Sequence, residues 1–227
     1  MSFHPSLDFN EQGEELCQAA RKGQIAAVTS YLAQGVDVNY QEVKNGFTPL
    51  HFAAFENRET VVKILLAHNA DVTIRSKEKA TILHRLCFMG HEKLNLARLF
   101  LNIGTIDINA KNKDARYTAL HYACRLGQDE YAKLLVEYGA NIHAKDCLFQ
   151  CPIETAGDHG HEELAIWLNE YERQTMINVY IQEQNLMSCS LQGIDGHDNI
   201  KCNEINDHRD LYIINESSSR ENVSSFE

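Results

Sequence analysis

A short pattern returns four times along the chain, and its spacing limits the fold more than any other feature. Thr48-Pro49-Leu50-His51, Thr81-Ile82-Leu83-His84, Thr118-Ala119-Leu120-His121 and Cys151-Pro152-Ile153-Glu154 begin at intervals of 33, 37 and 33 residues. The copy from Tyr117 to Asp146 is the fullest. Thr118 suits an N-cap, whose hydroxyl accepts from an otherwise unpaired amide at a helix start. Leu120, Ala123 and Cys124 then fall at i, i+3 and i+4, so a short helix has one apolar face, and Gly127 ends it. Tyr131, Leu134 and Leu135 repeat that spacing in a second helix, which Gly139 closes. Two helices and a turn cannot bury both faces alone, so each unit needs neighbours of its own kind.

Thr118-x-Leu120-His121, Ala123, Gly127, Leu134-Leu135 and Gly139-Ala140-Asn141 together resemble an ankyrin repeat. The resemblance implies an all-α solenoid of stacked helix-turn-helix units joined by finger loops. Glu14 to Asn39 fits the template with Gly23, Leu32, Gly35 and Asp37 in register. Its Glu-Glu-Leu-Cys start leaves a polar outer face, as an N-terminal cap requires, and its carboxylates suit the helix dipole. About five repeats are expected, at 14–45, 46–78, 79–115, 116–148 and 149–171, after a flexible leader over 1–13. The third repeat holds four extra residues: two before Gly104, one in 104–109 and one in the finger that follows. Asn169 stands where the fifth copy should have its second leucine, so the stack is expected to stop there. Ile177, Tyr180, Ile181 and Gln184 keep helical spacing, which suggests a capping helix over 172–187. Residues 188–227 read as a polar, acidic and largely disordered tail, apart from the strand-like island Leu211-Tyr212-Ile213-Ile214.

The formal charge is −11, distributed as −2 in residues 1–13, −3 in 14–171 and −6 in 172–227. That balance disfavours a general nucleic-acid binder or a surface drawn to anionic membranes. The chain start has no basic region followed by an apolar run, and no stretch approaches the roughly 20 apolar residues of a membrane span. Seven cysteines without a secretory signal fit free thiols in a reducing cytosol. The expected location is therefore cytoplasmic, or a host cytosol for a secreted effector.

No residue set makes a convincing catalytic or metal site. Cys147, Cys151, Asp158, His159 and His161 have zinc-like spacing, but the repeat accounts for nearly all of them. Cys147 lies in a finger, Cys151 takes the cap position and His161 belongs to the Gly-His pair of the unit. His51, His84 and His121 recur once per repeat, as structural residues do. The resemblance implies that each imidazole, with Thr48, Thr81 or Thr118, bonds its own turn and knits neighbouring repeats. No phosphate loop, H-E-x-x-H or G-x-S-x-G occurs. Neither enzymatic activity nor a cofactor or metal is expected; the remote alternative is an enzyme or zinc site in the C-terminal part.

What remains is a surface. In the family, partners bind the concave face made by finger tips and the exposed side of each first helix. Carried over position by position, that face here comprises Phe47, Phe55 and Glu56, then Phe88 and Met89, then Tyr117, Arg125 and Leu126, and lastly Asp158 and His159. Its apolar and aromatic members would form a stripe suited to interaction. The leading expectation is a non-catalytic module, monomeric when free, that binds a protein or peptide in this groove. The alternative is an adaptor or secreted microbial effector whose repeats select a target and whose tail recruits a second partner or autoinhibits.

Overall fold

The structure is a computed structural model that describes residues 9–87 and 94–192. Among them, ten helices follow in five pairs: α1 (Phe9–Lys22) with α2 (Ile25–Ala33), α3 (Pro49–Phe55) with α4 (Glu59–Ala67), α5 (Ile82–Leu86) with α6 (Leu94–Ile103), α7 (Ala119–Leu126) with α8 (Asp129–Glu137), and α9 (Pro152–Asp158) with α10 (Glu162–Gln192). No strand occurs among the described residues. The chain divides into two compact units, Met1–Ile177 and Asn178–Glu227. Of the second, only 178–192 are described, as the C-terminal part of α10.

The first helices begin as their residues dictate. Thr48 is extended (φ −89°, ψ 166°) and its Oγ1 accepts from the His51 amide at 3.4 Å. The Thr48 amide donates back to His51 Nδ1 at 3.3 Å, closing a capping box. Thr81 with His84, Thr118 with His121 and Cys151 with Glu154 repeat it. Pro49 and Pro152 sit in the first helical turn, where a missing amide costs little. At the far end of α7, Gly127 is left-handed (φ 61°) and its amide returns to Ala123 and Cys124.

Stacking then buries one face of every unit. Each odd-numbered helix packs on the next, from α1 through α9, while α2 meets α4 and α6 meets α8 in a second layer. Leu50, Leu83 and Leu120 occupy the same position in successive repeats and are fully buried. Truncating any one to alanine would cost about 2–5 kcal/mol. Tyr131 donates its hydroxyl to the Leu83 carbonyl at 2.9 Å, tying the fourth repeat to the third.

The insertion in the third repeat falls where its spacing predicts. Left-handed Asn69 follows Thr48 by 21 positions and Gly139 follows Thr118 by 21, but Gly104 follows Thr81 by 23. The loop from Gly104 and the finger that follows each carry one more.

Two expected boundaries need correction. The flexible leader over 1–13 does not extend so far, because α1 begins at Phe9; residues 1–8 lie outside the described set. Gly13, which reads as a loop glycine, is a packing glycine: a Cβ there would overlap the Tyr40 ring. No helix boundary falls at 171, and 172–187 is not a separate capping helix. α10 runs uninterrupted from Glu162 to Gln192, a stretch with no glycine or proline to break it. Within the first unit its Met176 and Ile177 are exposed. Of the tail expected to be largely disordered over 188–227, residues 188–192 belong to α10 and the rest lies outside the described residues.

Candidate functional site

Four finger loops carry the candidate face, and each is closed from within by its first residue. The amides of Glu42, Ser76, Asn112 and Asp146 donate to the carbonyls of Phe47, Ala80, Tyr117 and Gln150 at 2.9–3.0 Å. The same residues' side chains pin the loops. Glu42 accepts from the Lys44 and Asn45 amides at 2.8 and 2.5 Å, and Ser76 Oγ from Ala80 at 3.1 Å. Asn112 Oδ1 accepts from Tyr117 at 2.7 Å, and Asp146 Oδ1 from Leu148 and Gln150 at 2.7 and 2.9 Å. The tips are then linked to one another by backbone bonds. Lys77 donates to Asn45 at 2.8 Å, Lys113 to Glu78 at 2.8 Å and Cys147 to Ala115 at 2.9 Å. The face is thus a hydrogen-bonded row with little freedom left in its backbone.

The cap histidines brace this row from below. Each Nδ1 faces a Thr amide and hydroxyl, the pair Thr48 Oγ1–His51 Nδ1 being 2.9 Å apart. The amide can only donate, so Nδ1 is an acceptor and the proton resides on Nε2. His84 Nε2 then donates to the Tyr117 carbonyl at 3.0 Å and His121 Nε2 to that of Gln150 at 3.2 Å. His51 Nε2 is buried without a hydrogen-bond partner. Burial lowers all three pKa values, to about 4 for His51 and His84.

The expected apolar stripe is interleaved with arginine. Phe47 lies edge-on to Phe52 (centroids 5.9 Å) and beside His51 (5.6 Å). The Arg85 guanidinium carbon lies 4.6 Å from the Phe47 ring centre and 4.3 Å from that of Phe55, so repeat three inserts a cation between two rings of repeat two. Burial pulls the Arg85 pKa below its usual value. In repeat four, Arg125 lies 6.0 Å from the Tyr117 ring centre. Tyr117 itself is not an exposed anchor. It is 9% exposed, stacked on His121 at 5.4 Å and edge-on to Tyr122 at 5.4 Å.

The other expected residues divide. Leu126 and Arg125 are exposed, and Asp158 accepts from Gln150 Nε2 at 2.5 Å. His159 Nδ1 lies 2.9 Å from the Thr155 carbonyl, while Glu56 is held by Arg21 at 3.2 Å. Phe88 and Met89 lie outside the described residues. Sequence reasoning missed Arg85 and the fourth finger tip, where Leu148 and Phe149 are 70% and 81% exposed. Phe149 has φ 62°, the place that Gly46 takes in the first finger, so a bulky side chain sits in a strained backbone and outside the core. Lys79 and Arg116 hold the same left-handed place in the second and third fingers, so the signal that was available is a large apolar residue there.

The fingers are cationic although the chain is acidic. Lys44, Arg75, Lys77, Lys79, Lys113, Arg116 and Lys145 are exposed on them, against exposed Glu78 and Asp114. Glu42 and Asp146 are turned inward onto amides and buried.

The residues that read as zinc-like are dispersed into other roles. Cys147 is exposed at a tip, Cys151 caps α9, and His161 Nε2 faces the Arg125 carbonyl at 3.2 Å. Among the described residues, no group of three or more His, Cys, Asp or Glu side chains is placed to hold a metal ion.

Comparison with known proteins fits this geometry. A family model described as Ankyrin repeats (3 copies) matches residues 7–76 and 69–146. Human Ankyrin repeat and SOCS box protein 6 is 28% identical over 169 residues, which cover 69% of this chain and 39% of that protein. Mouse Inversin is 31% identical over 179 residues, 71% of this chain and 16% of Inversin. Human 2-5A-dependent ribonuclease is 37% identical over 84 residues, 37% of this chain and 11% of the ribonuclease. The chain thus matches well under half the length of each of these relatives.

Proposed function

This chain belongs to the ankyrin-repeat family, and on that premise we propose that it is a non-catalytic module that binds a protein or peptide in the groove of its fingers and first helices. Ankyrin repeats generally mediate protein–protein interaction. The observation that carries the reading is the Phe47–Arg85–Phe55 sandwich, beside tips whose backbone is fixed by mutual hydrogen bonds. Rigid loops lose little entropy on binding, and aromatic and arginine side chains are the usual anchors of interfaces. Leu126, Leu148 and Phe149 add exposed apolar area nearby.

The test replaces Phe55 and Leu126 by serine, singly and together, and measures partner capture with helicity as a control. Capture should fall while the far-ultraviolet spectrum stays unchanged. Capture that survives the double variant would sink the groove reading. Tyr117 is unsuited to this test because its ring is part of the packing.

An adaptor role is the second reading. It is favoured by a relative whose own name joins ankyrin repeats to a SOCS box. Removing residues 188–227 should then change the set of captured proteins; an unchanged set argues against it. The free thiols of Cys17, Cys87, Cys124, Cys147 and Cys151 support placing the protein in a reducing compartment. No helix among the described residues is long and apolar enough to cross a membrane.

A further inference from the structure

Arg85 is an unusual cation. Two aromatic rings fix it in place, it is only partly exposed, and among the described residues no carboxylate lies within ion-pair distance of it. Partial burial of an unpaired charge is unfavourable, and a carboxylate brought by a partner would offset that cost. Stacking on rings leaves the edge of the guanidinium, with its fork of donors, to receive a carboxylate in bidentate fashion.

The fingers present the same chemistry. Lys44, Lys79, Lys113 and Arg116 are exposed and enter no ion pair among the described residues. Glu42 and Asp146 face the backbone amides of their own loops, so the exposed finger carboxylates are Glu78 and Asp114, fewer than the exposed cations. The result is a cationic, aromatic-lined face on a chain of formal charge −11. A long polyanion such as RNA would meet the acidic remainder as well as the face, whereas a short segment meets the face alone.

We propose that the partner segment is an acidic peptide, in which aspartate or glutamate flanks aliphatic or aromatic residues. Its carboxylates pair with Arg85, Arg125 and the finger-tip cations, and its apolar residues rest on Phe47 and Phe55. This rests on the groove reading above and supplies the chemistry of its ligand.

The experiment selects a random peptide display library on the intact protein, then measures the recovered peptides by fluorescence anisotropy. The recovered peptides should be rich in Asp and Glu next to Leu, Ile or Phe. Their affinity should fall at least about tenfold with Arg85→Gln, since a charge-assisted hydrogen bond is lost. It should fall severalfold with the pair Lys113→Gln and Arg116→Gln, which lies on exposed tips and spares the fold. Raising salt from about 0.1 to 0.5 M should weaken binding as well. Arg85→Lys, with its melting curve, separates loss of charge from loss of packing. Neutral or basic peptides that are lost on Phe55→Ser would overturn the acidic chemistry and leave the groove standing. Peptides indifferent to Phe55→Ser would overturn the groove itself. Recovery of no acidic peptide, acidic peptides unaffected by Arg85→Gln and the finger pair, or tighter binding of a short poly-uridine RNA would each overturn the proposal.

Discussion

His84 donates through Nε2 to the carbonyl of Tyr117, 33 positions further along the chain, at 3.0 Å. The cap on the same ring requires it to be neutral, because Nδ1 accepts from the Thr81 amide at 3.2 Å. A proton on Nδ1 would set donor against donor and undo the cap, while Nε2 would still donate to Tyr117.

Stability should therefore depend on pH in a defined window. His51 and His84 titrate at about 4 in the folded chain against 6.5 as the ordinary value, and His121 is lowered as well. Between those values the unfolded chain binds more protons, so stability falls as pH falls from 6.5 towards 4. Each histidine contributes up to about 1.4 kcal/mol per pH unit there. Urea midpoints should hold level above pH ~7 and drop steeply by pH ~5. A midpoint flat across that range would rule out the neutral ladder.

Among the four capping boxes, Cys151 is the one where sulfur stands in for the threonine hydroxyl of the other repeats. Cys151→Thr should raise unfolding free energy by about 0.5–1 kcal/mol, and Thr118→Ala should lower it by about 1–2 kcal/mol. Denaturant titration of both variants checks the sign of each.

Gly127 and Gly139 are both left-handed (φ 61° and 86°) but differ in surroundings. A Cβ on Gly127 would run into the His161 ring, coming within 3.1 Å of its Cγ, while one on Gly139 meets nothing within 4 Å. Gly139→Ala should cost about 1 kcal/mol, the backbone penalty alone. Gly127→Ala should cost roughly 1 kcal/mol more. The excess should shrink when His161 is also alanine; an equal cost for the two glycines would refute the contact.

Phe149→Gly tests the strained finger tip. Its ring is 81% exposed at φ 62°, so removal relieves the backbone and forfeits almost no burial. A gain of about 0.5–1 kcal/mol is expected by thermal melting. A loss would mean that the ring packs in solution.

The features that were readable in the sequence are those set by short-range chemistry. Thr48, Thr81 and Thr118 announced helix starts because caps act within three residues, and the extra residues before Gly104 were countable because a glycine or asparagine closes the second helix of each repeat from the first to the fourth. Features set by packing across repeats were not readable. Arg85 stands at the position held by Phe52 and Tyr122 in the flanking repeats, and nothing in its own repeat shows that rings from the preceding one enclose it. Tyr117 carries a surface position in the template, but the neighbouring His121 and Tyr122 bury it. Gly13 reads as a loop until Tyr40 is brought against it. The stripe was therefore expected to be apolar, and its charge emerged only from the contact between repeats.

The fingers differ in length: their closing pairs span 42–47 and 112–117 but 76–80 and 146–150. Equivalent helix positions also carry different side chains, Phe52, Arg85 and Tyr122. A lattice of identical units would let a bound segment slip by one unit at no cost, as a ruler without numerals allows any starting mark. Here a shift by one unit exchanges a ring for a cation and a long tip for a short one. The marks alternate, and a segment bound along the array resists slipping by a single unit.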